Sequence, residues 1–370
     1  MNKLLFTPGP INTSKYVKNE MLYDYGSRDE SFKNNITYIR NALVNIACNN
    51  SKRNSLYTSV LIPGSGTYVN ESVLNSCIPK NDDNNKLLIV SNGKYGNRLY
   101  DISKKLSINV ELLSYPESES IEIASVDRFV KENENIKYIA MVHHETSTGQ
   151  INPIDIIGEI SKKYNKIFIV DAMSSFGAFD LDIYDFNIDF LISSANKCIE
   201  GVPGFAFALC KIDVLQKSIY SNSVSLDILD QWNNFEKNNE FRFTPPTHSV
   251  MAFTKALYEL ENNETVYGRI NRYKQNNETL TKGMEKIGFK CFLPHDKQGY
   301  FITSFLYLQH SNFMFDNFYN ILSNKGYILY SGCLTQTKTF RIGNIGQISN
   351  KDIINLLENI KQTLIEMNIN

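Results

Sequence analysis

Lys197 closes the run Phe190-Leu191-Ile192-Ser193-Ser194-Ala195-Asn196-Lys197, and the glycine-broken stretch Gly201-Val202-Pro203-Gly204 follows it. A lysine just past a short apolar strand can lose enough hydration to act as an amine nucleophile. The competing reading is a solvated lysine at a strand end. Asp171 directly follows the apolar residues Ile167-Phe168-Ile169-Val170 and precedes Ala172-Met173-Ser174-Ser175. A carboxylate at the buried edge of a sheet calls for a cationic partner, because an unpaired one is costly. A protonated ring nitrogen would serve; a helix cap or a ribose ligand are the alternatives.

Three further turns carry candidate chemistry. Pro63-Gly64-Ser65-Gly66-Thr67 lies between an apolar run ending at Ile62 and a helical pattern with Val69, Val73 and Cys77 on one stripe. Its glycines allow close approach to an anion, its free N–H groups and the helix dipole favour a phosphate, and Ser65 and Thr67 add hydroxyl donors. A tight turn with a threonine cap is the plainer reading. The pattern is neither GxGxxG nor GxxxxGK[ST], so it does not point to a dinucleotide or a nucleoside triphosphate. His143-His144-Glu145-Thr146-Ser147-Thr148-Gly149 invites a metal, but neighbours on an extended chain point to opposite faces and no third ligand is suitably spaced. A polar loop lining a ligand, with Thr146 offering a hydroxyl, is the favoured alternative, and no metal is expected. In Ser91-Asn92-Gly93-Lys94-Tyr95-Gly96-Asn97-Arg98 the Tyr95 ring could lie against a planar ligand, or simply pack under the loop.

These turns need a scaffold that brings strand ends together. Short β-rich runs alternate with amphipathic helical patterns from about 57 to 210, the signature of a parallel sheet with helices on its faces. The strand candidates are Tyr57 to Ile62, Lys86 to Val90, Tyr138 to Val142, Lys166 to Val170, Phe190 to Ser193 and Phe205 to Cys210. In an open α/β sheet ligands bind beyond the carboxyl ends of the strands, where these turns lie. After about 260 the pattern changes: a charged helix from Val266 to Met284, strands Gly299 to Leu306 and Gly326 to Tyr330, then a helix started by Ser349 and Asp352. That last helix carries Ile353, Leu357, Ile360, Leu364 and Met367 on one face. This region reads as a second, smaller α/β domain.

Length and composition allow an enzyme of two domains. The chain has 370 residues and a formal net charge of −1, without blocks of like charge, which argues against a nucleic-acid or membrane-surface partner. No apolar stretch is long enough to span a bilayer, and the start, Met1 to Pro10, turns polar before a signal-peptide core could form. Cysteines at 48, 77, 198, 210, 291 and 333 show no CxxC pair or framework spacing and read as reduced thiols. The cytoplasm is the expected location.

A phosphate cradle, a carboxylate for a ring nitrogen and a nucleophilic lysine are together the three fixtures that pyridoxal 5′-phosphate requires. The order Gly64-Ser65-Gly66-Thr67, Ser91-Asn92-Gly93-Lys94-Tyr95-Gly96, His144-Glu145-Thr146-Ser147-Thr148-Gly149, Asp171-Ala172-Met173-Ser174-Ser175-Phe176-Gly177, Ser193-Ser194-Ala195-Asn196-Lys197-Cys198 resembles the class V aminotransferases. The resemblance runs from Thr7-Pro8-Gly9-Pro10 to Phe340-Arg341-Ile342-Gly343-Asn344-Ile345-Gly346. The Ser-Ser-Ala-Asn-Lys-Cys and Arg-Ile-Gly-Asn-Ile-Gly forms are similar to the branch that transaminates 2-aminoethylphosphonate with pyruvate.

The resemblance implies a fold type I pyridoxal-phosphate transferase: a large domain over 16–260, with a mostly parallel mixed sheet flanked by helices, and a small domain from 1–15 and 261–370. It implies that Lys197 holds the cofactor as a Schiff base, Asp171 bonds its ring nitrogen, and Ser65, Gly66 and Thr67 hold its phosphate. Tyr95 would stack on the ring, and Thr146 and Asn196 would flank its substituents. Thr244 would arrive from the other subunit of a homodimer. Arg341 matches the substrate-anion arginine; on an extended segment it also faces away from Phe340 and Ile342, and its guanidinium suits a carboxylate or phosphonate. Arg28 is a further candidate for an anion.

The implied reaction has two alternating halves. An amine donor displaces Lys197, the freed amine moves a proton at the substrate carbon, Asp171 keeps the ring cationic, and pyruvate leaves as alanine. Phosphonoacetaldehyde is the other product, in phosphonate catabolism. One departure bears on the substrate: Tyr330-Ser331-Gly332-Cys333 stands where the family pattern leads us to expect Tyr-Pro-Gly-Lys, losing a rigid turn and a positive charge near the pocket. Alanine:glyoxylate or serine:pyruvate transamination would use the same lysine, aspartate and arginine. A cysteine desulfurase would place His where Asn196 stands. A binding protein on this fold would need none of this chemistry.

Overall fold

A computed structural model of the chain describes residues 3–49 and 52–369. Seven strands form the central sheet: β1 (Tyr57–Pro63), β2 (Lys86–Ser91), β3 (Val110–Ser114), β4 (Ile136–Val142), β5 (Ile167–Asp171), β6 (Phe190–Ser194) and β7 (Phe205–Lys211). Their spatial order is β1-β7-β6-β5-β4-β2-β3. β7 runs antiparallel to both β1 and β6, while the remaining pairs are parallel, so the sheet is mixed but mostly parallel. Leu88-Ile89-Val90, Ile139-Ala140-Met141 and Leu191-Ile192 are buried without alternation, as expected for strands covered on both faces.

β3 is the strand that sequence patterning does not announce. Its residues Val110-Glu111-Leu112-Leu113-Ser114 are half-buried or exposed, because an edge strand has one free side and tolerates a charge such as Glu111. The observed strands otherwise overlap the expected runs, with ends moved by one or two residues.

The helices pack on the sheet through stripes of apolar residues. Glu30–Ala47 buries Ile36, Ile39 and Leu43; Gly66–Cys77 buries Val69, Val73 and Cys77. These side chains join one hydrophobic cluster that extends from Val17 to Leu260. A second cluster gathers Phe6 with Leu280, Phe305, Phe340, Ile342 and Ile360.

The second cluster is the core of the smaller α/β unit. Its three-stranded antiparallel sheet places Thr339–Gly343 between Ile302–Leu306 and Tyr330–Ser331. Helices Thr265–Ile287 and Asn350–Glu366 pack alongside. The first ends at Gly288, whose left-handed φ of 111° lets the chain turn out of the helix. The second opens with the Ser349/Asp352 capping box. Leu356 rather than Leu357 is fully buried on it, which shifts the buried stripe slightly around the helix axis.

Two expected strands are corrected. Gly326 to Tyr330 is not one strand: Tyr327–Ile328 pairs in parallel with Leu4–Leu5, while Tyr330–Ser331 pairs with Arg341 and Phe340. The chain changes sheets at Leu329, which is buried in the second cluster. The strand anticipated from Gly299 begins only at Ile302, because Gly299 instead donates its N–H to the Gly149 carbonyl at 2.7 Å. Among the described residues, no helix is long and apolar enough to cross a membrane.

Candidate active site

The sheet register brings the chemical turns together. Asp171 lies opposite Val142 on β4 and Ile192 on β6, so the segments after these three strands leave the same edge of the sheet. Pro63, at the end of β1, lies opposite Phe205, which places the Gly64–Thr67 turn beside the stretch that follows Lys197. Together they enclose a cavity of about 220 Å³ whose lining includes Ser65, Gly66, Thr67, Asp171, Asn196 and Lys197.

At one end lies the turn into helix Gly66–Cys77. Ser65 occupies the capping position but its hydroxyl makes no capping bond. The N-terminal end of the helix therefore presents N–H groups together with the Ser65 and Thr67 hydroxyls, a set suited to a phosphate. Gly64 has φ 120°, and a Cβ there would meet the Tyr68 ring. A Cβ on Gly66 would meet the end of the Met173 side chain, which would have to move aside.

Asp171 is buried beyond the cradle. Its Oδ2 accepts a hydrogen bond from Asn70 Nδ2 at 2.7 Å and its Oδ1 accepts from the Met173 N–H at 2.9 Å. Burial pushes its pKa up, while Asn70, Met173, Lys197 and Arg98 draw it back. A cation placed against this carboxylate would offset the burial. Asn70 is not singled out by any motif; its signal is that asparagine disfavours a helix interior yet directly follows the buried Val69.

Lys197 lines the same cavity. Burial lowers its pKa to about 8; Cys198 and Asp171 oppose that shift, and the positive charge of Arg341 adds to it. Such an amine keeps a minority neutral, nucleophilic fraction near physiological pH, far larger than an ordinary lysine does. It donates to the Pro8 carbonyl, so the N-terminal segment passes directly over it. Gly9 makes that approach possible: its φ is 135°, and a Cβ would lie 2.8 Å from both Cε and Nζ of Lys197.

The remaining walls are polar. The Thr146 hydroxyl is 3.0 Å from that of Ser174. Tyr95 is half-buried, with the Arg98 guanidinium 4.8 Å from its ring centre. His144 packs its ring edge against Phe301 at 4.9 Å, and burial pushes its pKa down to about 3, so it is neutral. His143 instead contacts the Ser175 hydroxyl at 2.8 Å. Glu145 is a brace between loops: it accepts from the N–H groups of Tyr95, Gly96 and Ser147 at 3.1 to 3.2 Å, and from the Ser147 hydroxyl.

Two cavity-lining residues carry buried atoms with no hydrogen-bond partner among the described residues: Asn70 Oδ1 and Ser194 Oγ. Buried polar groups left so are costly, and a ligand with polar substituents would satisfy them. A planar ring bearing a phosphate at the cradle, a cationic nitrogen at Asp171 and a carbonyl within reach of Lys197 fits this set.

Arg341 lies beside the cavity rather than in its wall. Phe340 and Ile342 enter the small-domain core, while the guanidinium turns the other way. Nη1 donates to the Thr146 carbonyl at 3.4 Å and Nε to the Ser331 carbonyl at 3.2 Å. The unusual Ser331–Cys333 turn thus holds Arg341 through its backbone. Thr244 and Arg28 are not brought to the cavity in this chain: both are exposed, and Arg28 lies 3.8 Å from Glu240.

Comparison with known proteins agrees with this geometry. The family description "Aminotransferase class-V" matches residues 24–337. The chain belongs to the class V aminotransferases. As a member of this family it is a pyridoxal-phosphate-dependent aminotransferase. The class V enzyme is 44% identical over 364 residues to a 2-aminoethylphosphonate–pyruvate transaminase of Bacillus cereus, covering 98% of each chain. It is 43% identical to a bifunctional phosphonoacetaldehyde hydrolase/aminoethylphosphonate transaminase of Clostridioides difficile (strain 630); 97% of this chain spans 56% of that protein. In fold it matches ureidoglycine-glyoxylate aminotransferase from Bacillus subtilis with a TM-score of 0.89 at 22% identity, covering 100% of this chain and 94% of that one.

Proposed function

We propose that this aminotransferase moves the amino group of 2-aminoethylphosphonate to pyruvate, giving phosphonoacetaldehyde and L-alanine in phosphonate catabolism. The observation that carries the reading is a neutralisable Lys197 amine sharing one cavity with buried Asp171, with Arg341 adjacent through Thr146. The relatives named for this reaction support the choice of donor.

In this reading Ser65, Gly66, Thr67 and, from a second copy of the chain, Thr244 hold the cofactor phosphate. Asp171 holds a positive charge on the ring nitrogen, Tyr95 lies against the ring, and Thr146 and Asn196 flank its substituents. When bound, pyridoxal phosphate supplies the electron sink that makes the amine-bearing carbon of the substrate acidic. Lys197 anchors the cofactor covalently; its freed amine then takes and returns the proton at that carbon, and a pKa near 8 suits both directions. Arg341 pairs with the substrate anion, a carboxylate in pyruvate and a phosphonate in the donor. The phosphonate lies one carbon farther from the amino carbon than the carboxylate of alanine does, so the guanidinium must adjust between the two halves. Arg28, which does not reach the cavity within one chain, is the candidate for a second anion contact supplied, like Thr244, by a second copy.

The reading extends to the assembly: a homodimer with shared active sites, a large domain over 16–260 and a small domain from 1–15 and 261–370, working in the cytoplasm. The two main hydrophobic clusters support the division into domains. The test is to add each amine donor alone to the cofactor-loaded enzyme and follow the cofactor spectrum. Aminoethylphosphonate is expected to convert the bound cofactor and serine to leave it unchanged. Conversion by alanine or serine, with none by aminoethylphosphonate, would transfer the enzyme to alanine:glyoxylate or serine:pyruvate chemistry.

A further inference from the structure

Three residues past Lys197, Glu200 adopts a left-handed backbone with φ 66°, unusual for a residue with a side chain. Its N–H donates to the Lys197 carbonyl at 2.8 Å, closing the turn that presents the amine. Its carboxylate is buried and shared among several donors. Oε1 accepts from the Tyr273 hydroxyl at 2.6 Å and Arg272 Nη2 at 2.7 Å; Oε2 accepts from Gln347 Nε2 at 2.6 Å and lies 3.5 Å from Arg269.

The same donors also hold the segment that follows Arg341. The Tyr273 hydroxyl accepts from the Gly346 N–H at 2.9 Å, and Arg272 Nη1 donates to the Gly346 carbonyl at 2.6 Å. Arg269 returns to the lysine turn, donating to the Cys198 carbonyl at 2.7 Å. Glu264 lies 2.8 Å from Arg269 and 2.6 Å from Arg272, so two carboxylates balance two guanidinium groups. This matters because a buried unbalanced charge would be severely unfavourable. The amine-bearing turn and the segment after the Arg341 strand are thus fastened to the same two side chains of helix Thr265–Ile287, Arg272 and Tyr273.

We propose that Glu200 is a positioning residue that fixes the Lys197 amine relative to the Arg341 guanidinium, through Tyr273 and Arg272. Glu200, Arg272 and Tyr273 stand outside the cavity that Lys197 lines. The clamp joins the two main hydrophobic units through the one turn whose placement sets where proton transfer occurs relative to the bound anion. The proposal rests on the roles given above to Lys197 and Arg341.

Two readouts test it without turnover. The rate at which apoenzyme captures pyridoxal phosphate reports Lys197, and the affinity of loaded enzyme for ethylphosphonate, an unreactive anion, reports Arg341. Glu200→Gln keeps the shape but removes the charge; Tyr273→Phe removes only the bridging oxygen and secures the test should Glu200→Gln fail to fold. In folded protein each variant is expected to reduce both capture rate and ethylphosphonate affinity at least fivefold. Glu200→Ala should be worse than Glu200→Gln, and the Gln/Phe double variant no worse than the weaker single. If Tyr273→Phe lowers thermal stability while both readouts stay within twofold of wild type, or if only one readout moves, the clamp is structural and the proposal is wrong. A wild type that forms no alanine from aminoethylphosphonate would refute the donor assignment separately; the capture rate would still report Lys197, and propionate, an unreactive carboxylate, would replace ethylphosphonate as the reporter of Arg341.

Discussion

Asn70 Nδ2 donates to Asp171 Oδ2 at 2.7 Å, and both residues are buried beneath the cavity. The bond fixes the carboxylate from the helix that also forms the proposed phosphate cradle, so the two proposed cofactor contacts share one rigid element. A hydrogen bond to a charged group contributes about 1.5–3 kcal/mol. Asn70→Ala is therefore expected to weaken pyridoxal phosphate binding about tenfold to a hundredfold, measured by equilibrium dialysis of the apoenzyme. Unchanged affinity would show that Asp171 is held by its Met173 contact alone.

The Lys197 amine predicts a pH dependence. Burial lowers its pKa to about 8, so the neutral nucleophile accumulates as pH rises through that value and is complete above it. The rate of cofactor capture by apoenzyme should rise toward a plateau with a midpoint near 8, and at two pH units below the midpoint be about a hundredfold slower. Arg341 presses this pKa down and Asp171 draws it up. Arg341→Ala should move the midpoint upward and Asp171→Asn downward, which stopped-flow absorbance would resolve.

Gly9 should not tolerate a side chain. A Cβ would stand 2.8 Å from the Lys197 amine, and the φ of 135° disfavours any other residue. Gly9→Ala is expected to cut both cofactor capture and kcat about tenfold or more while circular dichroism stays native. Native kinetics would mean that the N-terminal segment does not meet Lys197 in solution.

Arg341 should act on binding of both substrates. Arg341→Lys keeps the charge but loses the planar fork, so KM for aminoethylphosphonate and for pyruvate should each rise about tenfold. A change confined to one substrate would assign the other anion to a different group, with Arg28 the first to examine.

Much of this site is legible in the sequence because it is built at strand ends. Asp171 and Lys197 follow apolar runs, and Ser65 to Thr67 open a helix, so local pattern and chain order place them. What pattern does not reveal comes from contacts made across long separations. Asn70 matters only because helix Gly66–Cys77 lies over the end of β5. Pro8 matters because the chain start crosses Lys197, and Glu200 because Tyr273 and Gln347 converge on it. The Gly326 to Tyr330 run divides between two sheets for the same reason: its partners, Leu4–Leu5 and Arg341, are far away in sequence. The Ser331–Cys333 turn reads as the loss of a charge, yet in the fold its backbone carbonyl orients Arg341.

The most direct test of the proposed reaction is alanine formation from pyruvate by purified enzyme, with aminoethylphosphonate as the sole amine donor. The account predicts one alanine for each phosphonoacetaldehyde, with ping-pong kinetics and no product from Lys197→Ala. Absence of alanine from aminoethylphosphonate, under conditions where another amine donor supports transamination, would contradict it.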